Sequence, residues 1–159
     1  MAVETETPND TKSTDRIEKR VVFRAPRTRV WRALTNAEEF GTWFRVKLES
    51  PFTEGKPVRG RLSIPGYEHV MVEMLVERID PERYFSYRWH PYAVDPAVDY
   101  SSEPTTLVEF HLEETDGSTA LTIVESGFDR IPLGRRAEAF RMNDNGWTGQ
   151  IKQLAKYVE

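Results

Sequence analysis

Cysteine is absent from this chain of 159 residues. Its absence excludes disulfides, a thiolate nucleophile and zinc–thiolate sites. Long hydrophobic runs are absent too, since none approaches the roughly 20 residues that a helix needs to span a bilayer. The first residues also lack the basic-then-apolar order of a signal peptide. We therefore expect a cytoplasmic protein that does not insert into membranes.

An excess of positive charge is also missing. The formal net charge is −4 and the sequence pI is near 5.5, whereas a nucleic-acid binder usually shows a basic stripe. The chain has no Ser-His-Asp set, phosphate-binding loop or paired glycosidase motif, so we expect neither nucleic acid nor a cofactor. With 38% apolar and 30% charged residues, the composition favours a water-soluble globule with one sizeable core.

Histidine is scarce, with three residues at positions 69, 90 and 111. Three histidines could ligate a metal, but strand alternation places His90 and His111 on a polar outer face. We therefore expect solvated histidines and no metal site.

The first 15 residues are rich in Thr, Glu, Asp and Pro and offer almost nothing that a core could bury. We expect residues 1–15 to form a disordered tail and residues 16–159 to form a single domain. The domain opens with a strand predicted over 16–25. Alternation within it places three apolar side chains on one face, namely Ile17, Val21 and Phe23.

Two short helices are predicted after this strand. Pro26 suits the first turn of a helix, and the buried stripe of that helix consists of Val30, Trp31 and Leu34. Asn36 and Glu39 have the spacing of a capping box at the start of the second helix. The aromatic face of the second helix consists of Phe40, Trp43 and Phe44.

A run of strands follows, beginning with 58–64 and 69–79. A turn that starts at Asp80-Pro81 leads into a strand over 84–90. If the last two strands pair across this turn, their apolar side chains share one face. The pairs expected are Val76 with Phe85, Met74 with Tyr87, and Val72 with Trp89.

A second hairpin is predicted around Asp116-Gly117, after a long loop over 91–104. This dipeptide is the preferred two-residue turn between antiparallel strands. The register that it sets again groups apolar side chains on one face. The pairs expected are Leu112 with Leu121, Phe110 with Ile123, and Val108 with Glu125.

Glu125 is the polar exception on that apolar face. A buried carboxylate must be paired, hydrogen-bonded or raised in pKa. Such a group could bind the polar head of a ligand or act as a general acid or base. The alternative is that a β-bulge near Gly127 turns the side chain to the rim, where it is a solvated charge.

The rest of the chain predicts one long helix over about 134–158, roughly 37 Å in length. Its apolar stripe consists of Phe140, Trp147, Ile151, Leu154 and Val158. Gly146 and Gly149 weaken it by about 1 kcal/mol each relative to alanine. A close helix–sheet approach, a bend beside a cavity, or plain tolerance would each explain these glycines.

Arginines cluster in the first and the last predicted helix, and we expect them on solvated faces. They are Arg27, Arg29 and Arg32 in the first helix and Arg135, Arg136 and Arg141 in the last. A basic mouth that binds anions is the alternative.

The predicted order is a strand, two short helices, a meander of about six strands and a long helix. This order favours an α+β fold in which a curved antiparallel β-sheet wraps around the C-terminal helix.

The same order of motifs resembles the activator of heat-shock protein 90 ATPase homologue family over roughly residues 16–158. The motifs are Ala25-Pro26 with Val30-Trp31-x-x-Leu34-Thr35, Trp43-Phe44, Asp80-Pro81 before Tyr87-x-Trp89, Leu121-Thr122-Ile123 before Ser126-Gly127-Phe128, and Gly146-Trp147 before Ile151, Leu154 and Tyr157. The resemblance implies a helix-grip fold of the START and birch-pollen-allergen-like superfamily. It also implies a cavity between the sheet and the last helix, since members bind lipids, sterols, polyketides and other apolar molecules.

We accordingly expect this protein to bind a small hydrophobic or amphipathic ligand, such as a lipid or an aromatic or polyketide-like molecule. One alternative is a cyclase or hydrolase with Glu125 as its acid–base group. Another is a chaperone-associated module that binds a protein partner or forms a homodimer. The candidate ligand-binding residues are Trp43, Phe44, Tyr87, Trp89, Glu125, Phe128, Phe140 and Trp147, with an ordinary packed core as the alternative for the aromatic side chains.

Overall fold

The computed structural model of the protein describes residues 13–159. Most of the predicted tail, residues 1–12, lies outside the described residues. Ten main elements follow one another along the chain: β1 (Arg16–Phe23), α1 (Arg27–Thr35), α2 (Ala37–Phe44), β2 (Val46–Leu48), β3 (Pro57–Leu62), β4 (Met71–Asp80), β5 (Tyr84–Trp89), β6 (Thr106–Thr115), β7 (Ser118–Ser126) and α3 (Leu133–Val158). A single 3₁₀ turn, Phe128–Arg130, precedes α3.

The strands form one antiparallel sheet of seven in the order β1-β7-β6-β5-β4-β3-β2. The chain's first and last strands are therefore neighbours, and α3 packs across the sheet in contact with β1, α1 and α2. The predicted α+β helix-grip architecture, with a long C-terminal helix and two short helices after the first strand, is confirmed. The six strands β2 to β7 match the predicted meander.

The predicted register of the second hairpin is confirmed. Leu112 lies opposite Leu121, Phe110 opposite Ile123, and Val108 opposite Glu125. Asp116 and Gly117 both have positive φ values, 49° and 81°. Positive φ at both central residues is what the tight turn between these strands requires.

The predicted register of the first hairpin is wrong. Val76 lies opposite Tyr87 rather than Phe85, and Phe85 lies opposite Ile79. The register shifts between Val76 and Arg78, because a bulge inserts one extra residue into β4. The error at Val76 is two residues, so the side chains keep their face, and Val76, Phe85 and Tyr87 are all buried.

The N-terminal elements follow their predicted patterns. Ile17, Val21 and Phe23 are buried on one face of β1. The Glu39 amide donates to the Asn36 side chain at 3.0 Å, which is the first half of the predicted capping box. The second half does not form, since the Glu39 carboxylate instead accepts a hydrogen bond from Arg32.

Across residues 13–159, helices with the length and apolar character needed to cross a membrane are not found.

Candidate functional site

A cavity of about 490 Å³ lies between the sheet and α3. Its walls come from the end of α2, from β3, β4 and β5, from the segments that follow β3 and β5, and from the middle of α3. Its apolar lining includes Phe44, Leu62, Val72, Trp89, Met142 and Trp147. Exposed residues such as Arg45 and Met71 border it, so the cavity opens to the surface.

Gly146 and Gly149 lie in the part of α3 that faces the cavity. A Cβ atom built at either position would meet nothing within 4 Å. A close helix–sheet approach therefore does not explain them. The two glycines line the cavity on either side of Trp147, and their missing side chains leave open space there.

Glu125 points inward from β7, and its side chain is completely buried. Regular pairing continues through it to Ser126. After Glu125, the backbone enters the left-handed region two residues later, at Gly127, with φ 105°. The alternative in which a bulge turns Glu125 to the solvated rim is therefore wrong.

Four neutral groups donate hydrogen bonds to the Glu125 carboxylate. Oε2 accepts from the indole of Trp89 at 2.8 Å and from the hydroxyl of Thr106 at 2.6 Å. Oε1 accepts from the indole of Trp147 at 2.9 Å. The amide of Asn143 donates to both oxygens, at 3.0 and 3.1 Å. Strands β5 and β6 and helix α3 thus satisfy the carboxylate together, and no cation from the described part of the chain contributes.

Two opposed effects act on the charge of Glu125. Burial raises the pKa of its carboxyl group above the ordinary value, while the hydrogen bonds from Thr106, Trp89, Trp147 and Asn143 oppose that rise. The donors favour the ionised form because a carboxylate only accepts. The neighbouring Tyr87 hydroxyl is fully buried without a hydrogen-bond partner among the described residues. Burial and then the Glu125 charge raise the pKa of Tyr87 well above its usual range.

Three rings, from Phe44, Trp89 and Trp147, form an aromatic wall of the cavity. Their centroids lie 6.0 to 6.1 Å apart. All three belong to the predicted ligand-binding set, and all three line the cavity. The same carboxylate holds both indoles, so Glu125 lies behind the wall rather than on its surface.

The other four predicted aromatic residues lie outside the cavity lining. The indole of Trp43 donates to the Ala33 carbonyl at 2.8 Å. Tyr87 is buried behind the aromatic wall, with its ring 5.3 Å from Trp89. Phe128 and Phe140 pack against each other, with centroids 5.1 Å apart. Residue type and spacing do not separate these core rings from the cavity rings.

Sequence reasoning missed Asn143 as a site residue. It precedes Trp147 by four positions on α3, so the two side chains lie on one face of the helix. This spacing, read together with an inward Glu125, is the signal that could have found it.

Sequence reasoning also missed the loop over 91–104, which contributes Tyr92, Ala93, Val94 and Tyr100 to the cavity. Arg135 holds this loop to α3. Its Nε donates to Glu103 at 2.8 Å, its Nη1 donates to the Pro91 carbonyl at 2.8 Å, and its guanidinium lies 4.7 Å from the Tyr100 ring centroid. The expectation of a solvated face is therefore wrong for Arg135.

The three histidines do not share a site. His69 bonds to the Val94 carbonyl, His90 bonds to the Glu103 carbonyl, and His111 lies beside Glu109. Residues 13–159 contain no group of three or more His, Asp, Glu or Cys side chains that could hold a metal ion.

The sheet, the long helix and the cavity between them define a helix-grip protein of the START-like class. Residues 24–159 match the family described as "Activator of Hsp90 ATPase homolog 1-like protein". The chain belongs to this family, and the resemblance found in the sequence is confirmed. The curated proteins contain no match to the chain.

Several solved structures share the fold. A protein from Mesorhizobium loti is 22% identical with a TM-score of 0.71, and the match covers 90% of this chain and 96% of that one. The Aha1 dimer from Colwellia psychrerythraea is 15% identical with a TM-score of 0.69, covering 91% and 96%. DynU16, a protein of the dynemicin biosynthetic locus, is 24% identical with a TM-score of 0.69, covering 91% of this chain.

The match covers 47% of DynU16, so the chain spans about half the length of that protein. At these identities the similarity shows the fold alone.

Proposed function

We propose that this protein binds a small hydrophobic or amphipathic molecule in the cavity between the sheet and α3. The observation that carries the proposal is a cavity of about 490 Å³ whose lining is largely apolar and aromatic. Ligand pockets commonly have 300 to 1,000 Å³, apolar walls and a few polar groups. A cytoplasmic location, as the sequence suggests, is part of the proposal.

The state of Glu125 favours binding over acid–base catalysis. A general base needs a free lone pair within reach of the proton that it takes up. Both oxygens of Glu125 already accept two or more hydrogen bonds from the protein. Among the relatives, DynU16 comes from a biosynthetic locus, which fits a ligand of aromatic or polyketide-like chemistry.

Filling the cavity tests the proposal. We expect the uncharged aromatic probe N-phenyl-1-naphthylamine to bind the full chain, with a rise in fluorescence on titration. Gly149→Leu places a side chain in the cavity and should weaken binding by about tenfold or more, which corresponds to about 1.4 kcal/mol.

Gly134→Leu is the matched control, because Gly134 lies in the same helix, is exposed, and also has open space at its Cβ. Equal affinity in both variants would contradict the proposal. So would a wild-type protein that binds no probe and carries no molecule from cells in native mass spectrometry.

The second candidate is association with a protein partner or with a second copy of the chain. The observation in its favour is that the Colwellia relative is described as a dimer. Light scattering across a concentration series should then report twice the mass of 18.5 kDa, and a constant monomer mass would argue against self-association.

A further inference from the structure

Both indoles of the aromatic wall direct their N–H groups to the same buried carboxylate. Trp89 donates to one oxygen of Glu125 and Trp147 to the other. An indole has a single hydrogen-bond donor and no acceptor. Each ring therefore has no hydrogen-bonding group left for the cavity, and only its carbon surface can meet a ligand there.

We propose that Glu125 is a positioning residue that sets the specificity of the cavity. It fixes the orientation of Trp89 and Trp147 and takes up their N–H groups, so that this wall selects the flat, hydrogen-bond-poor part of a ligand. The inference rests on the proposed binding function and extends it to the chemical class that the wall accepts.

The geometry favours a carboxyl group over a carboxamide as the acceptor. Four donors from β5, β6 and α3 converge on the two oxygen atoms, and residues 13–159 form no salt bridge with Glu125. A glutamine has one carbonyl oxygen, and its amide group would face donors at the position of the second oxygen. One indole would then lose its acceptor, and a buried donor without a partner is strongly disfavoured.

The tryptophan indole resonances in a ¹H–¹⁵N spectrum test the positioning directly. In Glu125→Gln we expect the resonances of Trp89 and Trp147 to move, because each indole donates to a different oxygen of Glu125 and a carboxamide offers only one acceptor oxygen. The Trp43 resonance should stay in place, since its indole donates to the Ala33 carbonyl. Trp→Phe variants assign the peaks. If both wall resonances keep their positions, the positioning role is overturned.

Binding of N-phenyl-1-naphthylamine tests the specificity. We expect its Kd to rise about tenfold in Glu125→Gln, because a wall that has lost its anchor no longer holds both rings in place. Glu113→Gln is the matched control, since Glu113 lies exposed on β6, and its Kd should equal that of the wild type. If the resonances move in Glu125→Gln but the Kd is unchanged, the proposal that Glu125 sets the specificity of the cavity is overturned.

A second variant guards against loss of folding in Glu125→Gln. Thr106→Val keeps the shape of the side chain, removes the 2.6 Å bond to Oε2 and leaves the cavity lining intact. It should move the Trp89 resonance, whose indole shares that oxygen, more than the Trp147 resonance, and the reverse order would count against the arrangement. If the wild type binds no probe, the proposed function fails, while the resonances still decide whether Glu125 positions the rings.

Discussion

Two groups of aromatic rings lie side by side in this protein, one packed solid and the other beside a hollow. The packed aromatic cluster consists of Phe40, Phe52, Phe85 and Phe110, with adjacent centroids 5.0 to 5.9 Å apart. The aromatic wall of Phe44, Trp89 and Trp147 has spacings of 6.0 to 6.1 Å. Tyr87 contacts both groups, at 5.9 Å from Phe85 and 5.3 Å from Trp89.

The difference lies in what fixes the rings. Rings of the packed cluster are held by carbon contacts on all sides, which is how dense cores specify orientation. Rings of the wall lack contacts on the cavity side, and hydrogen bonds hold two of the three, Trp89 and Trp147, while Phe44 stacks on Phe40 at 4.9 Å. Glu125 holds the two indoles, and Arg135 holds the loop that borders the cavity. In this protein, hydrogen bonds therefore fix the two indoles and the loop beside the cavity, whereas close packing is enough to fix the rings of the packed cluster.

Truncation of a packed ring should give the largest effect on stability. Phe85 is fully buried, and we expect Phe85→Ala to lower the free energy of unfolding by about 3 to 5 kcal/mol in chemical denaturation. Tyr92→Ala, in the loop beside the cavity, is the control and should cost much less, since its ring is partly exposed. Equal losses would mean that the two regions do not differ in packing.

Removal of a polar anchor should act locally. Arg135→Met keeps the apolar stem but loses the bonds to Glu103 and Pro91, and a bond to a charged group contributes about 1.5 to 3 kcal/mol. We expect faster hydrogen exchange in the 91–104 loop and no change in the β6–β7 hairpin. Arg136→Met is the control, because Arg136 bonds to the Ile131 carbonyl within its own segment. Uniformly faster exchange would show that the anchor supports the whole fold.

Sequence patterns were sufficient for the sheet wherever turn chemistry fixed the register. Asp116-Gly117 permits few conformations, so the β6–β7 pairing and the inward Glu125 followed from it. The prediction of the β4–β5 register failed, because a bulge between Val76 and Arg78 leaves little trace in an alternating sequence pattern. Positions two residues apart share a face, so the core was predictable although the pairing was not.

The candidate site was less predictable than the fold. Alternation shows that a side chain points inward, but not whether it meets other atoms or an empty space. Phe44 and Phe40 belong to the same aromatic face of α2, yet only Phe44 lines the cavity. The contribution of the 91–104 loop depends on contacts of Arg135 that are distant in sequence, and no local pattern encodes them.

The charge on Glu125 makes the wall sensitive to pH in a way that the packed cluster is not. Its folded-state pKa is raised above the ordinary value of 4.5 by burial. The folded state therefore binds this proton more tightly than the unfolded state does. The resulting contribution to stability is fully present below about pH 4.5 and is lost as the pH rises through the folded-state pKa. We expect the unfolding free energy of the wild type to fall relative to Glu125→Gln across that window, by at most about 1.4 kcal/mol per pH unit.

A second ionisable group lies beside Glu125, and its contribution to this difference must be accounted for. Burial raises the pKa of the Tyr87 hydroxyl well above its usual range of about 10, so this group stays protonated across the window in both proteins and does not contribute to the difference. A difference that rises with pH would mean that the four donors outweigh burial and that the folded-state pKa lies below 4.5.

Substitution of the cavity-lining α3 glycines by alanine should give the smallest effects, and it should change the free energy of unfolding and the affinity for the probe in opposite directions. Gly146→Ala meets no atom within 4 Å and should raise the free energy of unfolding by up to about 1 kcal/mol, because alanine favours helix. Its methyl group enters the cavity, so the affinity for N-phenyl-1-naphthylamine should fall slightly. Gly134→Ala, away from the cavity, should stabilise without that loss. If Gly146→Ala stabilises at unchanged affinity, the glycine is merely tolerated, and the hollow is larger than its ligand requires.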